Sequence, residues 1–101
     1  MILYNVTMNI EPDVHEEWLM WMKEAYIPHL LSSGLVLENR VMRLLYEVEN
    51  AGITYAFQYY LNNVDDCQRL EMEFINPMQK ELTRRFPNKF VEFATLLEVI
   101  K

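Results

Sequence analysis

Two hydrophobic periodicities alternate along this chain of 101 residues, and their order constrains the fold more than any other feature. Residues 2–10 alternate at a period of two, which is typical of a β-strand. Apolar residues then recur every three or four positions from Val14 to Ala25, which predicts an amphipathic helix. The remaining runs predict, in order, a strand, a strand, a helix and a strand, at 35–48, 53–61, 64–86 and 89–101.

The order βαββαβ predicts an α+β fold with the split βαβ, or ferredoxin-like, arrangement. In this arrangement four antiparallel strands form one sheet and the two helices cover one of its faces. A chain of this length typically makes one domain. We therefore expect a single ferredoxin-like domain over residues 1–101, with no linker.

Prolines and glycines predict the boundaries of these elements. Pro12 suits the first turn of a helix, where its missing N–H has no partner in any case. Pro28 predicts that the first helix kinks or ends near Tyr26–Ile27. The Ser-Ser-Gly segment at 32–34 then predicts the end of the helical run. Pro77 likewise predicts a kink, or two abutting helices, at Ile75–Asn76. Residues 49–52 have turn composition and predict a hairpin between the second and third strands.

The alternation in each strand also predicts which face of the sheet is covered by helices. The face against the helices is predicted to carry Tyr4, Val6, Met8, Tyr55, Phe57, Tyr59, Val91, Phe93 and Leu97. The opposite face is predicted to carry Leu3, Asn5, Thr7, Thr54, Ala56, Gln58, Tyr60, Glu92, Ala94 and Leu96. The run at 35–48 is apolar on both sides, and a strand of this kind is normally covered on both faces of the sheet. A second copy related by a two-fold axis supplies that cover, so we predict a sheet-on-sheet homodimer.

Charge and cysteine content restrict which binding partners and which cellular compartment we expect. The formal net charge of −6 argues against nucleic acid and against an anionic membrane as the main partner. No apolar run approaches the roughly 20 residues that cross a bilayer. The first ten residues lack the basic and apolar regions of a signal peptide. Cys67 is the only cysteine, which favours a reducing, cytoplasmic setting.

Aromatic and thioether side chains are abundant enough to suggest a small apolar ligand between helix and sheet. The candidates for its binding site are Trp18, Trp21, Met22, Tyr55, Phe57 and Tyr59, and Tyr4 and Phe93 could line the same pocket. The alternative is that the same side chains form an ordinary hydrophobic core. Polar residues on the strands could orient such a ligand or form a network across the dimer interface; these are Asn5, Thr7, Arg40, Gln58 and Glu92.

Few residues suggest catalytic or metal chemistry. His29, at the end of the first helix, is a candidate general base because its ordinary pKa lies near neutrality; the alternative is a helix-end histidine bonded to a terminal carbonyl. His15 is expected at the surface. Cys67 lies on the apolar stripe of the second helix and is expected to be a buried thiol. Two histidines and one cysteine provide no recognisable metal site, and we predict no metal and no cofactor.

Three segments resemble an uncharacterised bacterial family that is labelled only as a domain of unknown function. They are ILYNVTMNIEPDVHEEWLMWMKEAYIPHLL, TYAFQYY and RFPNKFVEFATLLEVI. That family is placed among the dimeric α/β-barrel proteins, so the resemblance implies the ferredoxin-like fold and a dimer. It brings no established activity, and no catalytic residue is carried over from it.

The wider superfamily includes cofactor-free monooxygenases and haem-degrading monooxygenases. The haem-degrading branch uses an Asn on the first strand, for which Asn5 or Asn9 could stand. It also uses a His on the second helix, and residues 64–86 contain none. That set of residues is therefore not matched, and Asn5 remains a weak catalytic candidate.

Three functional hypotheses follow from the sequence. The first is a small homodimer whose helix–sheet cleft binds a small apolar or aromatic molecule. The second is a structural or regulatory interaction module whose cleft is filled by its own side chains. The third is a cofactor-independent, monooxygenase-like enzyme. A continuous cavity of a few hundred cubic ångströms is expected under the first hypothesis and not under the second.

Overall fold

The computed structural model describes residues 1–46 and 52–101. Four strands occur in these residues in the predicted positions along the chain: β1 (Ile2–Ile10), β2 (Glu38–Arg43), β3 (Ile53–Leu61) and β4 (Phe90–Glu98). They form one antiparallel sheet in the order β2-β3-β1-β4. This order, with the helices between β1 and β2 and between β3 and β4, confirms the ferredoxin-like prediction.

The first helical arm, residues 12–31, consists of several short helical segments in succession. A 3-10 turn (Pro12–Val14) leads into α1 (His15–Trp21), a π-helical segment (Met22–Tyr26) and α2 (Ile27–Leu31). The second helical arm, residues 64–85, repeats this layout. It consists of α3 (Val64–Leu70), a π-helical segment (Glu71–Ile75) and α4 (Asn76–Arg85). The Asn63 side chain begins this arm by accepting a hydrogen bond from the backbone N–H of Asp66 at 2.8 Å.

The two prolines are accommodated by π-turns. Just before Pro28, the N–H of Ile27 donates to the carbonyl of Met22, five residues earlier. The prediction that the regular helix kinks or ends near Tyr26–Ile27 is confirmed as an interruption: the helix widens by one residue at Met22–Tyr26 and then continues as α2 to Leu31. In the second arm Asn76 donates to Glu71 in the same way. The predicted junction at Ile75–Asn76 is confirmed, since the π-segment ends and α4 begins there.

The register corrects the predicted face of β4. Met8 of β1 lies opposite Tyr55 on one side and opposite Glu92 on the other. The residues of β4 that face the helices are therefore Glu92, Ala94 and Leu96, and those on the outer face are Val91, Phe93 and Leu97. Both sets contain large apolar residues, so the alternation alone did not fix the register.

Within residues 35–46, the described part of the predicted run at 35–48, the second strand covers Glu38–Arg43. It pairs with β3, as the hairpin prediction requires. The predicted turn lies outside the described residues except for Gly52, which has a φ of +80°. A Cβ atom there would lie 2.5 Å from Oδ1 of Asn9 and 2.9 Å from the carbonyl oxygen of Ile10, so only glycine fits.

The hydrophobic core fills the space between the sheet and the two helical arms. Its largest fully buried side chains come from α1 and from the helix-facing sides of β1 and β3, and include Trp18, Tyr59, Phe57, Met8 and Ile10. Leu30, Leu70 and Leu82 close it from the helical side. Within the described residues no helix is both long and apolar enough to span a membrane.

Candidate functional site

A cavity of about 440 Å³ lies between the helical arms and the β1–β4 side of the sheet. One wall is formed by β1 and β4, which present Tyr4, Val6, Glu92, Ala94 and Leu96, with Phe93 at the strand edge. The pairing of Val6 with Ala94 and of Tyr4 with Leu96 places these side chains on the helix-facing side. The small Ala94 side chain leaves part of this wall unfilled.

The opposite wall of the cavity is formed where both helical arms widen into π-turns. Tyr26 is the last residue of the first π-segment, and Glu71 and Ile75 begin and end the second. Asn76 and Gln79 follow from α4. Single π-turns inside α-helices frequently occur at functional sites, because the extra residue changes the direction of the neighbouring side chains.

A directed hydrogen-bond chain crosses the cavity from one helical arm to the other and then to the sheet. The Tyr26 hydroxyl donates to Oε1 of Gln79 at 2.7 Å. The Nε2 amide of Gln79 donates to Oε1 of Glu92. The opposite orientation of the amide would place its oxygen against a carboxylate, so the chain has one stable direction. The last acceptor of the chain is Glu92.

Burial raises the pKa of three ionisable groups that line the cavity. Burial, and then the charge of Glu71, raises the pKa of Tyr4 to about 12. Burial likewise raises the pKa of the Tyr26 hydroxyl, with contributions from Tyr59 and Glu92. Burial also raises the pKa of the Glu92 carboxyl, and the hydrogen bond from Gln79 opposes this rise. A carboxyl group with a raised pKa can accept a proton from a bound molecule and return it.

Five of the six side chains predicted to bind a ligand lie in the core. Trp18, Met22, Tyr55, Phe57 and Tyr59 are each no more than 6% exposed. Trp21 is half-buried, its ring 5.8 Å from that of Tyr26 and beneath the guanidinium of Arg85 at 5.3 Å. These six side chains are not among the residues that line the cavity of about 440 Å³. Their role in ligand binding stays a prediction.

The two catalytic candidates lie apart from the cavity and from each other. Asn5 is on the outer face of the sheet, where its amide donates to the Thr7 hydroxyl at 3.4 Å. His29 is exposed, and its ring centre lies 5.4 Å from that of Phe74. His15, expected at the surface, is half-buried instead. Its Nε2 lies 2.7 Å from the Tyr55 hydroxyl oxygen.

Sequence reasoning missed most of the polar cavity residues. Tyr26, Glu71, Asn76 and Gln79 were assigned only to helices, and Glu92 was assigned to the wrong face of the sheet. A signal was present in the matching segments EAYIP and EFINP, where a proline follows a glutamate by four residues in each helical arm. Both segments contain part of a π-turn that reaches the cavity.

The arrangement of potential metal ligands and of the cysteine can be stated for the described residues. No group of three His, Cys, Asp or Glu side chains is arranged to hold a metal ion in the part of the chain that the structure describes. Cys67 is buried, and burial together with Glu71 raises the pKa of its thiol. A thiol with a raised pKa is a poor nucleophile at neutral pH.

Comparisons with known proteins agree with the fold. A family model described as a domain of unknown function, DUF4286, matches residues 1–100. No curated protein matches the chain by sequence.

Three of the similar solved structures have TM-scores between 0.62 and 0.72. An antibiotic biosynthesis monooxygenase is 10% identical, with a TM-score of 0.72 and all of both chains covered. An ethyl tert-butyl ether (ethd) family protein of Bacillus halodurans is 12% identical, with a TM-score of 0.69, 99% of this chain and 100% of that chain covered. The hydroxynitrile lyase of Passiflora edulis is 16% identical, with a TM-score of 0.62, 99% of this chain and 96% of that chain covered. At these identities the likeness shows the fold alone.

Proposed function

The chain belongs to the DUF4286 family, a domain of unknown function, and we propose that this protein binds a small, mainly apolar molecule in the cavity between its helical arms and its sheet. The observation that carries the proposal is the cavity itself, with a volume of about 440 Å³. Ligand sites typically measure about 300–1,000 Å³. An interaction module with a filled cleft would have no space of this size.

The composition of the cavity walls supports the same proposal. Val6, Ile75, Ala94 and Leu96 supply apolar surface, and a few polar groups converge between them. Apolar walls with a small number of fixed polar groups are typical of small-molecule sites, since the walls provide affinity and the polar groups provide orientation. The hydrogen bonds from Tyr26 to Gln79 and from Gln79 to Glu92 hold those polar groups in place.

A thermal-shift screen tests the proposal. A ligand at ten times its Kd should stabilise the fold by about 1.4 kcal/mol, which raises Tm by about 5 °C or more for a domain of this size. A screen of aromatic alcohols, quinols, haem and fatty acids should therefore contain compounds that raise Tm. A screen in which no compound changes Tm or its own spectrum contradicts the proposal.

A cavity-filling variant localises the binding. Ala94→Trp should occupy the cavity with an indole and abolish the ligand-induced rise in Tm, because Ala94 faces the helices beside Val6. Gln68→Trp, at an exposed position of α3, is the matched control and should retain the full response. An equal response in both variants would place the ligand elsewhere.

Cofactor-free oxygenation is a second candidate function, favoured by the half-buried Glu92 carboxyl with its raised pKa. Such a base could remove a proton from an anthrone-type substrate, whose CH₂ group then becomes a carbonyl while one dioxygen is reduced to one water. We expect the protein to accelerate dioxygen uptake by anthrone, with one anthraquinone formed per dioxygen, and Glu92→Gln to remove the acceleration. Uptake equal to that in buffer contradicts this function.

We also propose that the chain forms a homodimer through the outer face of its sheet. Four large apolar side chains of this face are exposed: Met42, Val91, Phe93 and Leu97. Val91 is 70% and Phe93 64% exposed, an unusual exposure for such side chains in a strand. Val91, Phe93 and Leu97 lie along β4 at one edge of the sheet, and Met42 lies on β2 at the other edge. Exposed apolar side chains of this kind favour an interface. An isologous two-fold contact would cover this face on both copies.

A further inference from the structure

The charged side chains that line the cavity are all acidic. Glu71 and Glu92 both line it, and no Lys, Arg or His of the described residues does. Neither carboxylate takes part in an ion pair within those residues, although six other pairs form at the surface. Glu71 is exposed at the mouth of the cavity, whereas Glu92 is half-buried. A half-buried carboxylate is normally compensated by a cation or by hydrogen bonds. Among the described residues Glu92 accepts one hydrogen bond, from the Gln79 amide, and pairs with no cation.

The hydrogen-bond chain ends on an acceptor, the Glu92 carboxyl. The Tyr26 hydroxyl donates to Gln79, and one N–H of the Gln79 amide donates to Oε1 of Glu92. An ionised carboxylate has about four lone-pair sites and donates nothing. Most acceptor sites of Glu92 therefore remain available, and a ligand must bring the donor.

The charges of Glu71 and Glu92 contribute to raised pKa values on β1 and on both helical arms, in addition to the effect of burial. Glu71 and Glu92 both contribute to raising the pKa of Tyr4 on β1. Glu92 contributes to raising the pKa of Tyr26 on the first helical arm. Glu71 contributes to raising the pKa of Cys67 on the second arm. With two carboxylates and no cationic side chain of the described residues in its lining, the cavity places negative charge beside aromatic and aliphatic surface.

We propose that the cavity selects an apolar molecule bearing a protonated amine, with the ammonium group bound by Glu92 in the field of Glu71. This inference rests on the proposed function and assigns its ligand class. Charge-assisted hydrogen bonds are about twice as strong as neutral ones, and the aromatic ring of Tyr4 on the cavity wall adds a favourable surface for a cation. A ligand carboxylate would meet two like charges and no cation among the described residues that line the cavity.

Three ligands of nearly the same shape test the selection: 2-naphthylmethylamine, 2-naphthylmethanol and 2-naphthoate. Their Kd values can be measured by isothermal titration calorimetry at pH 7 and low salt. We expect the amine to bind about tenfold more tightly than the alcohol, which corresponds to one charge-assisted hydrogen bond. We expect the carboxylate to bind about tenfold more weakly than the alcohol, and the amine's advantage to shrink as salt is added.

Variants assign the selection to the two carboxylates. Glu92→Gln keeps the shape and the acceptor for Gln79 but removes the charge, so it should bring the Kd values of amine and alcohol close together. Glu71→Gln should reduce the difference less, since Glu71 acts through its field. Glu73→Gln is the matched control: it removes an exposed carboxylate of the same helical arm that pairs with Arg69 at 3.9 Å. It should leave the tenfold difference intact.

The outcomes separate the two proposals. If none of the three compounds binds and the ligand screen is also negative, the proposed function itself is wrong. If the alcohol binds but the amine has no advantage, or the carboxylate binds most tightly, the ligand class is wrong and the cavity remains a binding site. An amine preference that survives in both Glu92→Gln and Glu71→Gln, or that disappears equally in Glu73→Gln, also overturns the assignment to these side chains.

Discussion

At the scale of single residues, Glu92 and Glu81 show how environment gives one residue type two opposite effects on stability. Burial disfavours the charged form of Glu92 and raises its pKa from the ordinary 4.5. Hydrogen bonds from Arg84 and Arg85 favour the charged form of Glu81 and lower its pKa to about 2. The charge of Glu92 thus opposes folding at neutral pH, whereas the charge of Glu81 supports it.

Glu92→Gln is expected to raise Tm at pH 7. The folded state holds the Glu92 proton more tightly than the unfolded state does, so the free energy of unfolding falls as pH rises from 4.5 through the folded pKa. The amide avoids this loss. Thermal unfolding followed by circular dichroism should show the gain at pH 7 and little difference near pH 4. A decrease of Tm at pH 7 would show that the carboxylate is stabilised in the folded protein.

Glu81→Gln is the companion experiment and should change Tm in the other direction. The stabilisation from Glu81 is present above pH 4.5 and is lost as pH falls towards 2, following its lowered pKa. The variant should therefore have a slightly lower Tm at pH 7, with the small size typical of exposed ion pairs. The difference in Tm between the variant and the wild type should disappear as the pH falls towards 2. Equal Tm values at pH 7 would mean that solvent screens these pairs completely.

The site was less predictable than the fold at this scale. Glu92 was recognised as a polar strand residue, but its face depends on the register with β1, and β4 is apolar on both sides. Gln79 and Tyr26 are separated by 53 residues in the chain. Their hydrogen bond exists because two helices lie side by side, and no local pattern encodes that contact.

At the scale of the elements, a π-turn precedes a proline in each helical arm, and residues of both π-turns line the cavity. Pro28 and Pro77 each follow a residue whose N–H donates to the carbonyl five positions earlier. A proline inside a helix lacks an N–H and clashes with the preceding turn, which disfavours a regular α-helix there. A π-turn immediately before the proline relieves this conflict. It also directs Tyr26, Glu71 and Ile75 to the cavity.

Pro77→Ala tests this connection. The alanine supplies an N–H and removes the clash, so the second helical arm can become a regular α-helix without the extra residue. We expect unchanged or higher helix content by circular dichroism and a several-fold weaker affinity for 2-naphthylmethylamine, because Glu71 and Asn76 would be redirected. Pro87→Ala, in the turn beyond α4, is the control and should bind normally. Unaltered affinity in Pro77→Ala would show that ligand binding does not depend on the π-turn.

At the scale of the whole molecule, the distribution of apolar residues leaves one face of the sheet uncovered. The two helical arms bury Met8, Phe57 and Tyr59 on one face, although Leu96 at the β4 edge of that face is 47% exposed. The outer face keeps Val91, Phe93 and Leu97 exposed and also carries half-buried small and amide side chains such as Ala56 and Gln58. A face of this composition suits a contact between two sheets, which typically interdigitate side chains of mixed size.

The homodimer predicts a light-scattering mass of twice the 12.2 kDa of the chain at micromolar concentration. The double variant Val91→Lys and Leu97→Lys should reduce the mass to that of one chain, because it would place two charges among the apolar side chains of the proposed contact. Met72→Lys, at an exposed position of the second helical arm, is the control and should stay dimeric. A wild-type mass of 12.2 kDa would refute the dimer.

The sequence by itself determined the order of the elements, the antiparallel pairing of the strands and the ferredoxin-like fold. These follow from periodicity, which is local: alternation marks strands, spacing of three and four marks helices, and short connections restrict the topology. Only the tertiary structure decided the face of β4, the π-turns and the cavity. Register is set by the partner strand, and a cavity is the space left where packed elements do not meet, so neither is encoded in any single segment.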